Sequence, residues 1–295
     1  MTQPFITTDW DQLSYPRLCG LIAERPTKLS QAMHNAGFQA AQLPFVYAAF
    51  DISKTGVAIQ AMRDLKIRGF SVTIPHKETA LQLVDVLHPD ARAIGAINTV
   101  VNSGTKLYGL NTDWIGIRDA LAEQGCDVRN KHVVVFGAGG AARAAIFAMQ
   151  RLGAARILIC NRSVNRAQEL ASAFGTETCS LDELSRNLQA DVSLIINCTP
   201  LGSALNAGEN PLVPLVQLLQ CGPGGAGLPA VFDMVTRPTP LTTEAQKRGC
   251  NVIFGARMLL HQAFEQFRLF TEKEPPKEAM ELALQRELSP GSSKA

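Results

Sequence analysis

The sequence predicts a two-domain α/β protein, and three observations carry the prediction. Lys131 to Arg166 reads as a strand, a glycine-rich turn, a helix and a second strand. Strand-like and helix-like stretches also alternate through the first third of the chain, which calls for a separate α/β domain ahead of that unit. The length of 295 residues is enough for two cores.

Composition narrows the possible functions. Net charge is only +2 and no basic block is long enough for a nucleic-acid surface. The seven cysteines, at 19, 126, 160, 179, 198, 221 and 250, are scattered, odd in number and without a CxxC. That is neither a disulfide framework nor a metal site, and it suits a reducing, cytoplasmic location. Met1 to Trp10 lacks the charged and apolar regions of a secretion signal, and no apolar run reaches the length of a membrane span.

In chain order, residues 1–16 read as an irregular lead-in, Leu18 to Ile22 as a strand and Ala23 to Lys28 as a polar loop. A short helix follows from Ser30 through Met33-His34-Asn35 to Gly37. Pro44 to Phe50 is strand-like, Ser53 to Leu65 an amphipathic helix, and Gly69 to Ile74 a strand cut by Pro75. Where that strand stops stands Ser71-Val72-Thr73-Ile74-Pro75-His76-Lys77. Loops at the C-terminal ends of strands in open α/β sheets hold ligands. A lysine in a partly enclosed cleft there can exchange a proton near neutral pH. Taken alone, Lys77 reads equally as a solvated helix start, and His76 as a structural or solvent-exposed residue. Gly95-Ala96-Ile97-Asn98-Thr99 and Gly109-Leu110-Asn111-Thr112-Asp113 each adjoin an apolar strand. The Asn98 amide and the Asp113 carboxylate suit a polyhydroxylated ligand, although each also fits an Asx-capped turn.

His132 to Phe136 is an apolar, β-branched run that breaks into Gly137-Ala138-Gly139-Gly140-Ala141-Ala142, a G-x-G-x-x-A turn. One glycine permits the tight turn, and another lets the backbone approach a pyrophosphate seated on the N–H groups of the following helix. The helix runs to about Arg151, and Arg156 to Cys160 is the next strand. It ends in Asn161-Arg162-Ser163, with no carboxylate before Glu169. Arg162 and Arg166 suit a ribose 2′-phosphate, and Ser163 can cap the next helix. Asn161 can instead hold a ribose hydroxyl, so NADP is favoured and NAD stays open.

Val192 to Ile196 is a buried strand ending in Asn197-Cys198-Thr199-Pro200-Leu201-Gly202, a turn at the cofactor edge. Gly208 to Leu228, rich in Gly and Pro, reads as a mobile excursion around one short helix. Val231 to Met234 is the last clear strand, followed by a helix near Leu241 to Arg248. Phe254-Gly255 opens a long amphipathic helix, Ala256 to Phe270, in which Gln262 by itself is an ordinary exposed glutamine. A helix over Lys277 to Leu288 precedes a polar tail, 289–295, expected to be disordered.

Together these motifs resemble the shikimate dehydrogenase family from Leu18 to about Leu288. The matching stretches are Leu29-Ser30 with Met33-His34-Asn35, Val72-Thr73-Ile74-Pro75 with Lys77, Gly95 to Thr99, Asn111-Thr112-Asp113 and the Gly137–Ala142 turn. They continue with Asn161-Arg162, Asn197-Cys198-Thr199, Asp233-Met234-Val235, and Met258-Leu259 with Gln262-Ala263. The resemblance implies a substrate domain, 1–112, completed by helices at 255–288, and a Rossmann-type domain, 113–254, with a cleft between them. It implies reversible hydride transfer between NADP(H) and C3 of shikimate or 3-dehydroshikimate, an aromatic-precursor pathway step, with Lys77 and Asp113 as the acid-base pair. Asn98 and Gln262 would bond ring hydroxyls, and Thr73 and Ser30 the carboxylate. Gly137, Ala138, Gly139, Gly140, Ala141, Asn161, Arg162, Ser163, Arg166, Cys198, Thr199, Pro200 and Val235 would hold the cofactor, with Gly255 and Met258 bordering the nicotinamide.

Several positions depart from the family pattern. Lys28 replaces a hydroxyl residue, Ser71 an asparagine and Thr236 a tyrosine; Trp114 stands where glycine is general, and Ser163 for threonine. Lys28 can pair with a carboxylate or point to solvent. These changes point to a relative with a shifted preference, toward quinate or an amino-substituted analogue. The expected partner is a small cyclic hydroxy acid, with no nucleic acid, membrane or metal, in a monomer or homodimer. A catalytically silent sensor of dinucleotides or metabolites is the alternative.

Overall fold

The structure is a computed structural model that describes residues 15–187, 192–203, 210–217 and 227–289. Most of the expected lead-in, the tail after residue 289 and much of 208–228 lie outside the described residues. The chain divides into two compact units, one of Met1–Thr112 with Leu260–Ala295 and one of Asp113–Leu259.

The first unit opens with β1 (Arg17–Ala23), α1 (Leu29–Ala40), β2 (Phe45–Asp51), α2 (Thr55–Asp64) and β3 (Gly69–Val72). It continues with α3 (Lys77–Leu81), β4 (Val86–Leu87), α4 (Pro89–Ile94), β5 (Thr99–Asn102) and β6 (Leu107–Leu110). The second unit holds α5 (Asp113–Glu123), β7 (His132–Phe136), α6 (Gly140–Arg151), β8 (Arg156–Cys160), α7 (Val164–Phe174) and β9 (Glu177–Thr178). There follow α8 (Leu181–Asn187), β10 (Val192–Asn197), α9 (Leu212–Gln217), β11 (Ala230–Asp233), α10 (Pro240–Lys247) and β12 (Val252–Phe254). The chain then runs through α11 (Gly255–Thr271) and α12 (Lys277–Leu288).

In the first unit the strand order is β2-β1-β3-β5-β6-β4. The first three strands are parallel, β5 runs antiparallel to both β3 and β6, and β4 joins β6 in parallel. The expected strand through Ile74 stops at Val72: the Thr73 N–H makes the last ladder bond, to the Ile22 carbonyl, and the His76 N–H then closes a turn onto the Thr73 carbonyl. On one sheet face Ile59 and Met62 of α2 bury against Phe70, Val72 and Val100. Toward α11, a Cβ on Gly69 would collide with the Phe270 ring, so only glycine lets that ring lie on the strand. Arg68, 4% exposed, donates to the Phe270 carbonyl at 2.9 Å, the Asn102 carbonyl at 2.8 Å and Glu272 at 3.1 Å. Those acceptors offset the burial of its charge.

His34 of α1 lies fully buried beside Phe38 and Phe270 and stacks on Tyr47 with ring centroids 4.4 Å apart. Burial disfavours its charged form and lowers its pKa to about 4. A folded-state value below the ordinary 6.5 means the unfolded chain binds the extra proton first. Stability contributed by neutral His34 is therefore expected to be lost as pH falls from about 6.5 toward about 4. Urea midpoints across that range check this: His34→Phe should flatten the decline, and an unchanged slope would refute it.

The second unit carries a parallel sheet in the order β12-β11-β10-β7-β8-β9. Counted within the unit and read from the β9 edge this is 3-2-1-4-5-6, the doubly wound Rossmann order, with its switch point between β7 and β10. The expectation that Val231 to Met234 is the last strand is corrected by β12, which pairs with β11 at the sheet edge. Three residues are too few to show a period in sequence. Thr239 caps α10 in a reciprocal capping box with Thr242, and Gly175 closes α7 in the left-handed region with φ 63°.

Candidate functional site

The dinucleotide features gather where β7, β8, β10 and β11 end. Gly137 leaves β7 with φ +119°, and its N–H donates to the Cys160 carbonyl at 2.9 Å. A Cβ there would stand 3.2 Å from Thr199 Cγ2, so both the conformation and the neighbour require glycine. Gly139 differs. It precedes α6 in extended backbone, and a Cβ on it would meet no atom of the chain within 4 Å. The fold therefore does not need that glycine for itself; a side chain would fill the space before the α6 N-terminus, where a pyrophosphate fits. Ala138, Gly140 and Ala141 line the same turn and are half-buried.

At the end of β8, the Asn161 amide donates to the Ser163 carbonyl at 3.0 Å. Arg162, Ser163 and Arg166 are exposed around the start of α7. Ser163 occupies the cap position, but its hydroxyl makes no capping bond, against the expectation of a side-chain cap. Between β10 and β11, fully buried Asn197 accepts from the Thr199 hydroxyl at 2.7 Å and donates to Asp233 at 2.9 Å. Asp233 in turn accepts from the Val235 N–H and, at 2.6 Å, from the Thr239 hydroxyl. Burial raises the Asp233 pKa, and those three donors oppose the rise. This network fixes Cys198, Thr199 and Pro200 beside Val235. Gly255 closes the arrangement, because a Cβ there would run into the Met234 backbone carbonyl; Met258 is buried one turn later.

In the first unit, Lys77 is the first residue of α3 and half-buried. Its backbone carbonyl accepts from the Ile97 N–H at 3.0 Å, and the Val72 N–H donates to the Asn98 carbonyl at 2.7 Å, so the lysine loop and the Asn98 loop are tied together. Neighbouring His76 is buried and structural, contacting the Thr55 hydroxyl at 2.8 Å and the Ile52 carbonyl at 3.0 Å. Asn98, 2% exposed, donates to Thr112 Oγ1 at 2.9 Å and to Gln262 Oε1 at 2.8 Å. Its side-chain oxygen, Oδ1, accepts from the Thr99 hydroxyl at 2.8 Å and the Thr112 N–H at 2.7 Å. Gln262 is thus buried rather than an ordinary exposed glutamine, because α11 turns that face onto the sheet. Ser30 is buried in the first turn of α1, and Thr73 is half-buried just past β3. Lys28 is exposed at the α1 cap position and makes no capping bond. Asp113, 3% exposed, directly follows Thr112 and begins α5.

Sequence reasoning assigned no role to a second layer. The Tyr47 hydroxyl donates to Ser71 at 2.6 Å, Ser71 donates to Gln266 Oε1 at 2.8 Å, and the Gln266 amide donates to Thr99 Oγ1 at 3.0 Å. The only available signal was Gln266 standing one helical turn after Gln262. Trp114 packs edge-on against Phe147 with centroids 5.5 Å apart, inside the second unit's own core.

A doubly wound parallel sheet with this turn at its switch point defines a Rossmann-type dinucleotide-binding protein, here carrying a second α/β unit. Family models match at three places: the shikimate dehydrogenase substrate binding domain at residues 26–100, shikimate / quinate 5-dehydrogenase at 120–205, and the shikimate 5′-dehydrogenase C-terminal domain at 255–285. A shikimate dehydrogenase (NADP(+)) of Methanopyrus kandleri is 40% identical over 269 residues, 87% of this chain and 90% of that protein. A crystal structure of a shikimate dehydrogenase in complex with NADP+ is 34% identical with a TM-score of 0.81, covering 93% of this chain and 96% of the other. The shikimate 5-dehydrogenase of Thermus thermophilus, in complex with NADP(H) and shikimate, is 32% identical with a TM-score of 0.78, covering 92% of this chain and all of that one. The chain belongs to the shikimate dehydrogenase family.

Proposed function

We propose that the protein catalyses reversible, NADP(H)-dependent hydride transfer at C3 of shikimate and 3-dehydroshikimate. The observation that carries this is the joined Lys77 and Asn98 loops, in a chain that is 40% identical to a shikimate dehydrogenase (NADP(+)). The cofactor, when bound, supplies the hydride or accepts it. Gly139 and the α6 N-terminus would hold its pyrophosphate, and Arg162 and Arg166 its 2′-phosphate. Cys198, Thr199, Pro200 and Val235, arranged by the Asn197–Asp233 network, would border it, and Gly255 and Met258 would line the nicotinamide. Lys77 gives a proton to the C3 oxygen during reduction and takes it back during oxidation, and Asp113 orients that lysine and the hydroxyl. The Gln262 amide nitrogen, which bonds no other described residue, donates to a ring hydroxyl, while Asn98 holds Gln262 in place. Ser30 and Thr73 bind the carboxylate.

Two departures from the family pattern are absorbed locally, Ser71 by Tyr47 and Gln266 and Trp114 by Phe147. Lys28 and Thr236 are half-buried or exposed and remain as determinants of a shifted preference, toward quinate or an amino-substituted analogue. Initial rates with shikimate and quinate, each with NADP and NAD, test the reading. Strong turnover of shikimate with NADP supports it; no turnover by protein that binds NADP would overturn it and favour a sensor.

Arg162→Ala is expected to raise the KM for NADP by about 10- to 100-fold, the loss of one charge-assisted contact, with little change for NAD. Equal losses with both cofactors would remove Arg162 from the 2′-phosphate.

A further inference from the structure

We propose that Cys160 and Cys179 form an oxidisable thiol pair at the edge of the dinucleotide site, closed to a disulfide by hydroperoxides, and that closure weakens cofactor binding. The inference rests on the dinucleotide reading above for its consequence but not for its chemistry.

β8 and β9 are parallel, with Leu158 opposite Glu177 and Ile159 opposite Thr178. The next register position places Cys160 opposite Cys179, and the Cys179 N–H donates to the Ile159 carbonyl at 3.0 Å. Paired residues of parallel strands point to the same face, and both cysteines pack in one apolar cluster. Neighbouring strands lie about 4.8 Å apart. That falls within the roughly 4.4–6.8 Å between Cα atoms that a disulfide spans. The two thiols therefore lie side by side on one face of the sheet.

Their environments differ in a way that assigns roles. Cys160 is 1% exposed, whereas Cys179 is half-buried and reachable by a small oxidant. The neighbouring Cys160 thiol favours the Cys179 thiolate, with help from Arg156 and against burial and Glu183. The same contact, with burial, holds the Cys160 proton more tightly. Thiolate is the reactive form. The Cys179 thiolate attacks one oxygen of hydrogen peroxide; the O–O bond breaks, hydroxide leaves, and Cys179 becomes a sulfenic acid. The Cys160 sulfur then attacks the Cys179 sulfur, the S–O bond breaks, and the departing hydroxide takes the Cys160 proton as water. In sum, two thiols lose two electrons to one peroxide, giving one disulfide and two waters.

Location supplies the consequence. The Cys160 carbonyl accepts from the Gly137 N–H, and Asn161 and Arg162 follow it directly. β9 is a two-residue edge strand, exposed at both positions. A bond drawn between these sulfurs pulls on the residue that anchors the glycine turn and leads into the arginine loop.

The test uses the full chain, reduced and desalted, then exposed to a small molar excess of hydrogen peroxide. Peptide mapping after thiol blocking reads the cross-link, and equilibrium dialysis reads the Kd for NADP. The expected result is a Cys160–Cys179 peptide 2 mass units lighter than its reduced parts and a Kd raised about 10-fold, as for one lost charge-assisted contact. A thiol reductant should restore the Kd, and Cys179→Ser or Cys179→Ala should keep the reduced value in peroxide. Both thiols still blockable after peroxide, or a mapped cross-link with unchanged Kd, would overturn the proposal. If the reduced protein fails to bind NADP, the cofactor reading fails instead, and the mass of the cross-link still decides the chemistry.

Discussion

Replacing Lys77 with alanine is expected to lower kcat for shikimate oxidation by roughly 10²- to 10⁴-fold, the range that a positioned proton-transfer group contributes. The loss should fall on kcat rather than on cofactor binding, because the residues proposed to hold NADP all belong to the second unit. It should also leave the fold intact. Lys77 enters its loop through a backbone carbonyl, which accepts from Ile97 whatever the side chain is. Its side chain is half-buried at the start of a five-residue helix, not a member of the apolar core. Melting temperature and the Kd for NADP are the controls. A variant that keeps both and loses turnover supports Lys77 as the proton carrier. A variant with turnover near wild type removes that role, and a wild type that binds cofactor without turnover makes the protein a sensor.

Asn98→Ala should be the most damaging single truncation in the first unit. All four hydrogen-bonding positions of that amide are used, two as donor to Thr112 and Gln262 and two as acceptor from Thr99 and the Thr112 backbone. Each buried group left without a partner costs about 1–3 kcal/mol. The truncation also opens a void that one water can partly fill. A net loss of about 3–5 kcal/mol is expected from two or three such groups. Urea unfolding measures it, and a loss under about 1 kcal/mol would show that neighbouring groups re-pair. The KM for shikimate should rise as well, since Gln262 loses the contact that aims it.

The second unit was far more legible than the first. His132 to Phe136 and Arg156 to Cys160 were readable because a parallel strand buried on both faces is a continuous apolar run, and because glycine marks the turn that follows. The first unit depends on pairings that local pattern does not encode. Nothing near Thr99 or Leu107 announces that β5 reverses direction beside β3. The two-residue β4 and the short α3 and α4 are below the length at which a period shows. The same holds at the site: Asn98 and Gln262 were each nameable, but their bond spans 164 positions. Ser71 read as a departure and sits in the structure as the middle of a relay from Tyr47 to Gln266.

The contacts of Arg68 have a consequence for the order in which the chain matures. Its partners at Phe270 and Glu272 are translated about 200 residues later, at sequence separations of 202 and 204. The whole of the second unit lies between, as one continuous span. On a ribosome that unit emerges entire and can close on itself, since domains generally fold as units during synthesis. The first sheet must wait with Gly69 uncovered and the Arg68 guanidinium holding only its Asn102 acceptor, so the domain that is begun first is completed last.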